Sequence, residues 1–117
     1  MKKIRILIAD DHTVVRIGLS ALLGSQRDLE VVGEADNGNI AVQEALRLRP
    51  DIVIMDLMMP LKDGVEATIE IKKRVPAAKV IVLTSYGTSD GIAHALNAGA
   101  SGALTKTADD DSLIAAV

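Results

Sequence analysis

A chain of 117 residues with 49% hydrophobic side chains has the size and apolar content of one domain around a single core, and a second folded domain does not fit. Its 13 Lys and Arg against 16 Asp and Glu leave a net charge of −3, which lacks the basic footprint that neutralises phosphates along a duplex, so no direct nucleic-acid binding is expected. The sequence contains no Cys, which excludes disulfides, thiolate metal sites and thiol nucleophiles and fits a reducing cytoplasm.

In chain order, apolar and β-branched runs recur at Ile4–Ala9, Leu29–Ala35, Ile52–Met55, Lys79–Thr84 and Gly102–Thr105. They are short and mostly continuous rather than alternating, the pattern of strands buried on both faces. The segments between them have helical spacing. Val15, Leu19 and Leu22 recur at i, i+4, i+7, and so do Ala41, Ala45 and Leu48. Val65 with Ile69, and Ile71 with Val75, repeat the i, i+4 step, and Ile92, Ala95, Leu96 and Gly99 follow. Asp36-Asn37-Gly38 turns the chain ahead of one helix, Pro50 and Pro76 follow helices, and Gly99 stands where a helix C′ glycine is favoured. A fifth helix is expected to begin near Asp109–Asp111 and to be cut short by the end of the sequence at Val117. Strict strand–helix alternation with short connections implies right-handed crossovers, a parallel five-stranded sheet and helices on both faces, a doubly wound α/β fold.

Tyr86 is the only aromatic residue, so Ile, Val, Leu, Met and Ala must fill the core, and stacking platforms for bases or sugars are missing. No apolar run approaches the ~20 residues of a membrane span, and the Met-Lys-Lys start leads into no signal-type stretch. A cytoplasmic chain without membrane contact is the expectation.

In an open parallel sheet, ligands bind in the crevice beyond the carboxyl ends of the strands. The first strand runs into Asp10 and Asp11, the third ends in Asp56, the fourth in Thr84, and the fifth leads to Lys106. Three carboxylates and one ammonium sum to −2, a repulsion that one divalent cation would cancel. The donors are hard oxygens, with His12 the only imidazole near a strand end, which favours a magnesium-like ion and a phosphate-handling site. Taken singly, each residue has a plainer explanation: Asp11 as a helix cap, Asp10 as a solvated acid, Asp56 as a loop residue, Thr84 as a strand former, Lys106 as a surface charge. The joint pattern, with Met59-Pro60 and Asp63-Gly64 turning the chain after Asp56, points to one site.

With these residues the sequence resembles, over essentially its whole length, the receiver domain of bacterial two-component response regulators. The stretches ADDHTVVRIGL, MDLMMP followed by DGVEAT, and ALNAGASG are most similar to the NarL/FixJ (LuxR-type) class. The resemblance implies a flavodoxin-like strand order 2-1-3-4-5, a phosphoacceptor role for Asp56, and Mg2+ held by Asp10, Asp11, Asp56 and the backbone carbonyl of Met58. It also implies roles for Thr84 as the switch hydroxyl and Lys106 as the lysine of the site. A histidine kinase is the implied partner, and a homodimer through the fourth helix and fifth strand, including Ile92, Ala93, His94 and Ala103, is a further implication. Residues 1–117 would form the receiver, with a helix-turn-helix DNA-binding output domain expected beyond them to control transcription. The domain would act on itself rather than as an enzyme on external substrates, with slow loss of its phosphoryl group. Met58 and Tyr86 would flank that group and shield it from water.

Two positions depart from the family pattern. Ala103 stands where an aromatic usually couples to the threonine, and Lys62 stands where an apolar residue usually precedes Asp-Gly, as a solvated loop lysine or an anion ligand. Two other readings fit the residues: a receiver-like interaction module working without phosphorylation, or an aspartyl-nucleophile phosphatase. The latter family resembles D-x-D-x after the first strand, whereas this chain has Asp10-Asp11-His12-Thr13. A flavodoxin-like electron carrier would need a hydroxyl-rich phosphate loop and aromatics that the chain lacks.

Overall fold

The structure, a computed structural model, describes residues 3–57, 59, 61–84 and 89–105, of which 84, 89–92 and 104–105 are described by their backbone alone. Strands β1 (Ile4–Ala9), β2 (Leu29–Ala35), β3 (Ile52–Asp56), β4 (Lys79–Thr84) and β5 (Gly102–Thr105) alternate with helices α1 (Thr13–Gly24), α2 (Gly38–Leu48), α3 (Gly64–Arg74) and α4 (Ser89–Asn97). All four strand pairings are parallel, in the order β2-β1-β3-β4-β5. This is the doubly wound sheet that the alternation implied. The expected fifth helix lies outside the described residues.

The continuous apolar runs divide between two cores because side chains alternate across a sheet. Leu7, Ala9, Val53, Met55, Val80 and Val82 point to one face, where Ala41, Val42 and Ala45 of α2, Ala67 and Ile71 of α3 and Ala95 of α4 cover them. Ile6, Ile8, Ile52, Ile54, Ile81 and Leu83 point to the other, where Leu19 and Leu23 of α1 pack. Small alanines on the helices let α2 and α3 sit close over the branched strand residues. A bulge between Ile6 and Leu7 shifts β1 against β2, so that Leu7 pairs with Gly33. A side chain at Gly33 would meet Leu48 Cδ1 at 2.6 Å, so this glycine makes room for the end of α2.

The helix faces differ in detail from the expected stripes. In α1 the buried pair is Leu19 and Leu23, with Val15 and Leu22 only partly covered. In α3 the buried face is Ala67, Thr68 and Ile71. Ile69 is instead 40% exposed and lines a groove with His94 and Ala98 at α4. Thr68 tolerates full burial because its Oγ1 donates to the Gly64 carbonyl at 2.7 Å.

Helix ends follow local chemistry. Asn37 caps α2 by accepting from Ile40 N at 2.9 Å, and Asp63 caps α3 by accepting from Glu66 N at 2.9 Å. Gly99 takes φ +112 after α4, with Ala100 N donating to Ala95 O at 3.0 Å. At the amino edge of the sheet, Arg5 N donates to Asp51 Oδ2 at 2.9 Å and Asp51 N returns a bond to Arg5 O at 2.9 Å. Lys79 N adds a bond to Asp51 O at 3.0 Å. The Arg5 guanidinium reaches the Leu48 and Arg49 carbonyls at 2.7 and 3.1 Å, closing the end of α2, where Arg49 holds φ 46.

Two glycines test this packing in opposite directions. A Cβ at Gly18, inside α1, would meet nothing within 4 Å, so Gly18→Ala should raise stability by about 0.5–1 kcal/mol through helix propensity. A Cβ at Gly64 would run into the Asp56 carbonyl and come within 2.8 Å of Leu57 Cα, so Gly64→Ala should cost about 3 kcal/mol. Urea unfolding of both variants measures the two shifts.

Candidate functional site

The strand order reverses direction between β1 and β3, and the crevice beyond the carboxyl ends of these two strands is where such sheets bind ligands. β1 delivers Asp10, whose N–H still donates to Ala35 O of β2 at 2.9 Å, and the chain then turns through Asp11 into α1. β3 ends on Asp56, paired in register with Leu83 of β4. Asp10 and Asp56 are buried, at 1% and 2% exposure, whereas the Asp11 side chain is 33% exposed.

One donor atom from each of Asp10, Asp11, His12 and Asp56 lies within 4.8 Å of the others. At such separations two like charges repel by about 3–4 kcal/mol at an effective dielectric of about 20. Three carboxylates make three such pairs, a sum comparable to the ~5–15 kcal/mol that stabilises a whole domain. Positive charge at the centre would relieve that repulsion. Oxygens so placed are the donor set of a hard divalent cation, and Asp10, Asp11 and Asp56 could hold one.

The loops around the carboxylates are fixed by their own bonds. His12 N donates to Asp10 Oδ1 at 2.8 Å, and His12 Nδ1 lies 3.0 Å from Asp10 Oδ1 and 3.2 Å from Asp11 Oδ1. The N-cap of α1 is His12, which caps no backbone N–H, so Asp11 does not spend its carboxylate on capping the helix. Arg16, one turn into α1, donates to the Asp10 carbonyl at 2.7 Å and pairs through Nε with Glu34 at 3.3 Å. It ties the turn after β1 to β2. After β3, Gly64 N donates to Leu57 O at 2.9 Å, closing the loop that follows Asp56. A Cβ at Gly38 would collide with the Lys62 carbonyl, so the same loop is pressed against the start of α2.

Of the six residues singled out from the sequence, the structure brings Asp10, Asp11 and Asp56 together. Thr84 closes β4, paired with Thr105, and its side chain lies outside the described residues, as do Lys106 and Met58 and the proposed shield residue Tyr86. The signal for His12 was its position beside the acidic pair. Arg16 and Glu34 gave no signal, because their contact joins an α1 turn to a β2 edge through space. Lys62 is neither a solvated lysine nor an anion ligand: its Nζ donates to Glu70 Oε1 at 2.6 Å, and its side chain is 19% exposed. That side chain bridges the loop to α3.

This architecture, a five-stranded parallel sheet with an acidic cluster at its switch point, is the flavodoxin-like class of doubly wound domain. The family model for the response regulator receiver domain matches residues 6–117. The response regulator protein VraR of Staphylococcus epidermidis is 45% identical over 114 residues, covering 97% of this chain and 54% of that one. Among solved structures, a LuxR-family two-component response regulator from Aurantimonas is 36% identical with a TM-score of 0.93, covering 98% of this chain and 82% of that one. The signal receiver domain of NarL from Mycobacterium tuberculosis is 28% identical with a TM-score of 0.95, covering 99% of this chain and 94% of that one. The chain belongs to the response regulator receiver domain family, and its relatives agree with the NarL/FixJ class. It spans about half the length of the curated relatives it matches. Among the described residues no helix is long and apolar enough to cross a membrane.

Two residues of the loop after Asp56 give measurable expectations. Leu61 holds φ 69 while 80% exposed, a left-handed conformation that costs a branched side chain about 1–2 kcal/mol. Leu61→Asn should raise stability by about 0.5–1 kcal/mol, read as a higher urea midpoint at unchanged slope. The hydrogen bond from Lys62 holds the Glu70 carboxyl below the usual carboxylate range, against a smaller opposing effect of burial. A carboxyl with a depressed folded pKa stabilises the fold above its unfolded value, near 4.3 for Glu, and loses that contribution as pH falls through the folded value. Glu70→Gln should therefore be less stable than the parent at neutral pH, with the two urea midpoints converging on acidification.

Proposed function

We propose that this receiver accepts a phosphoryl group on Asp56 from a phosphohistidine of a partner kinase, with Mg2+ held by Asp10, Asp11, Asp56 and the carbonyl of Met58. The observation that carries this reading is the buried Asp56 carboxylate at the end of β3, within 4.8 Å of donor atoms from Asp10 and Asp11. When bound, the ion supplies charge neutralisation for the phosphoryl oxygens and the carboxylates together. An Asp56 oxygen forms a bond to phosphorus as the P–N bond to the kinase imidazole breaks, leaving an acyl phosphate on the receiver and the electron pair on the departing nitrogen. Phosphoryl transfer of this kind passes through a loose in-line transition state, so positioning and electrostatics supply the catalysis. The hold of Arg16 and of the His12 backbone N–H on the Asp10 turn, and of Gly64 on the Asp56 loop, provides that positioning. Lys106 and the Thr84 hydroxyl are assigned the remaining phosphoryl oxygens.

The product adds about one negative charge where a carboxylate stood, and recruiting Thr84 and Lys106 to it gives differential contacts that shift a two-state equilibrium. We assign the output surface to α4 and β5, where Ala93 and His94 are exposed and Ala103 is partly buried against the core. A homodimer through that face is part of this reading. Residues 1–117 act as the receiver of a longer cytoplasmic transcription regulator whose helix-turn-helix domain meets DNA, and the receiver modifies itself rather than turning over an external substrate. Intact-mass measurement after incubation with acetyl phosphate and Mg2+ should show the gain of one phosphoryl group, abolished in Asp56→Asn. No gain, or an equal gain in the variant, rejects the assignment and leaves an interaction module that works without phosphorylation.

A further inference from the structure

We infer that His12 is a nitrogen ligand that opens this centre to transition-metal dications, such as Ni2+ and Co2+, in addition to the hard ion proposed above. The inference rests on the reading that Asp10, Asp11 and Asp56 hold a metal, and it adds a donor of a different chemical kind. Adjacent ligands of a six-coordinate ion with bonds of ~2.1 Å stand about 3.0 Å apart. His12 Nδ1 stands 3.0 Å from Asp10 Oδ1 and 3.2 Å from Asp11 Oδ1, the spacing of neighbouring ligands around one ion. An oxygen of Asp56 falls in the same 4.8 Å group, so three oxygens and one nitrogen can converge without moving a strand.

The ring is also carried on a fixed base. His12 is the residue from which α1 starts, with φ −95 and ψ 112, and its N–H is anchored on Asp10 Oδ1 at 2.8 Å. Arg16 holds the Asp10 carbonyl at 2.7 Å. Only the two side-chain torsions of His12 remain to be set when an ion binds. The imidazole is 60% exposed, so water can leave and an ion can enter past it.

Ligand type then separates the metals. Imidazole suits nickel, zinc and copper, whereas Mg2+ takes oxygen and keeps its waters. Nitrogen ligation adds to the general rise in affinity from manganese to copper, so Ni2+ should displace Mg2+ at equal free concentration and should do so through His12.

The test uses titration calorimetry of the 117-residue chain with Mg2+ and with Ni2+ separately, in the same buffer. His12→Ala removes an exposed side chain that caps no backbone group, and circular dichroism checks that it folds. The expected result is a Ni2+ Kd weakened about tenfold or more, with the Mg2+ Kd within about twofold of the parent. The visible absorption of bound Co2+ should change in the same variant. Equal effects on Ni2+ and Mg2+, or no effect on Ni2+, overturn the inference and leave His12 as a hydrogen-bond partner of the carboxylates. Ni2+ binding that survives Asp11→Asn combined with Asp56→Asn overturns it too, by placing the ion elsewhere. Loss of Mg2+ binding by the parent chain would instead sink the metal reading itself, and the two failures are told apart by the Mg2+ titration.

Discussion

The mutual repulsion of carboxylates forced together at the ends of β1 and β3 is the constraint on which the rest of the structure turns. A parallel sheet built by right-handed crossovers brings the carboxyl ends of all its strands to one edge. Placing an acid at the end of each of two neighbouring strands therefore guarantees an electrostatic conflict. Because Asp10 and Asp56 are buried, water cannot screen them as it would at the surface. The apolar strands and alanine-faced helices supply the cohesion that keeps this conflict in place, and charge brought to the pocket relieves it. Fold stability and ligand affinity are thus two sides of one balance.

The loop after Asp56 shows how closely this pocket is joined to the helical layer. Gly64 lets α3 begin directly against the Asp56 carbonyl, and Gly38 lets α2 begin against that of Lys62. Lys62 then reaches Glu70 along α3. A displacement of this loop is felt at once by both helices, since neither contact has slack to absorb it. Arg16 plays the matching part on the other side, coupling the Asp10 turn to Glu34.

The strands and the acidic triad were legible in the sequence because both depend on short-range patterns. A continuous β-branched run followed by an acid carries its meaning within ten residues, and the parallel topology then brings the acids together. Helix faces were less legible. Ile71 and Val75 are buried as their spacing implies, but Ile69, which shares the pattern, is exposed, while Ala67 and Thr68 are buried without any apolar spacing to announce them. Close packing over a branched sheet favours small side chains, a preference that hydrophobic periodicity does not read. Thr68 further depends on a bond to Gly64 to be buried at all. The partner of Lys62 was not legible because it lies a turn and a half into α3, and the contacts of His12, although it stands beside the acidic pair in the sequence, are set by how the turn folds around it.

The reciprocal bonds between Arg5 and Asp51, extended to Lys79, fasten β1, β3 and β4 to one another at the edge farthest from the acids. The Arg5 guanidinium staples the tail of α2 to the same point. The sheet thus has a clamped foot and an open mouth, like a tuning fork held by its stem. Strands gripped at one end cannot slide lengthwise past each other, so any rearrangement provoked at the mouth must travel outward through the loops and helix starts that border it.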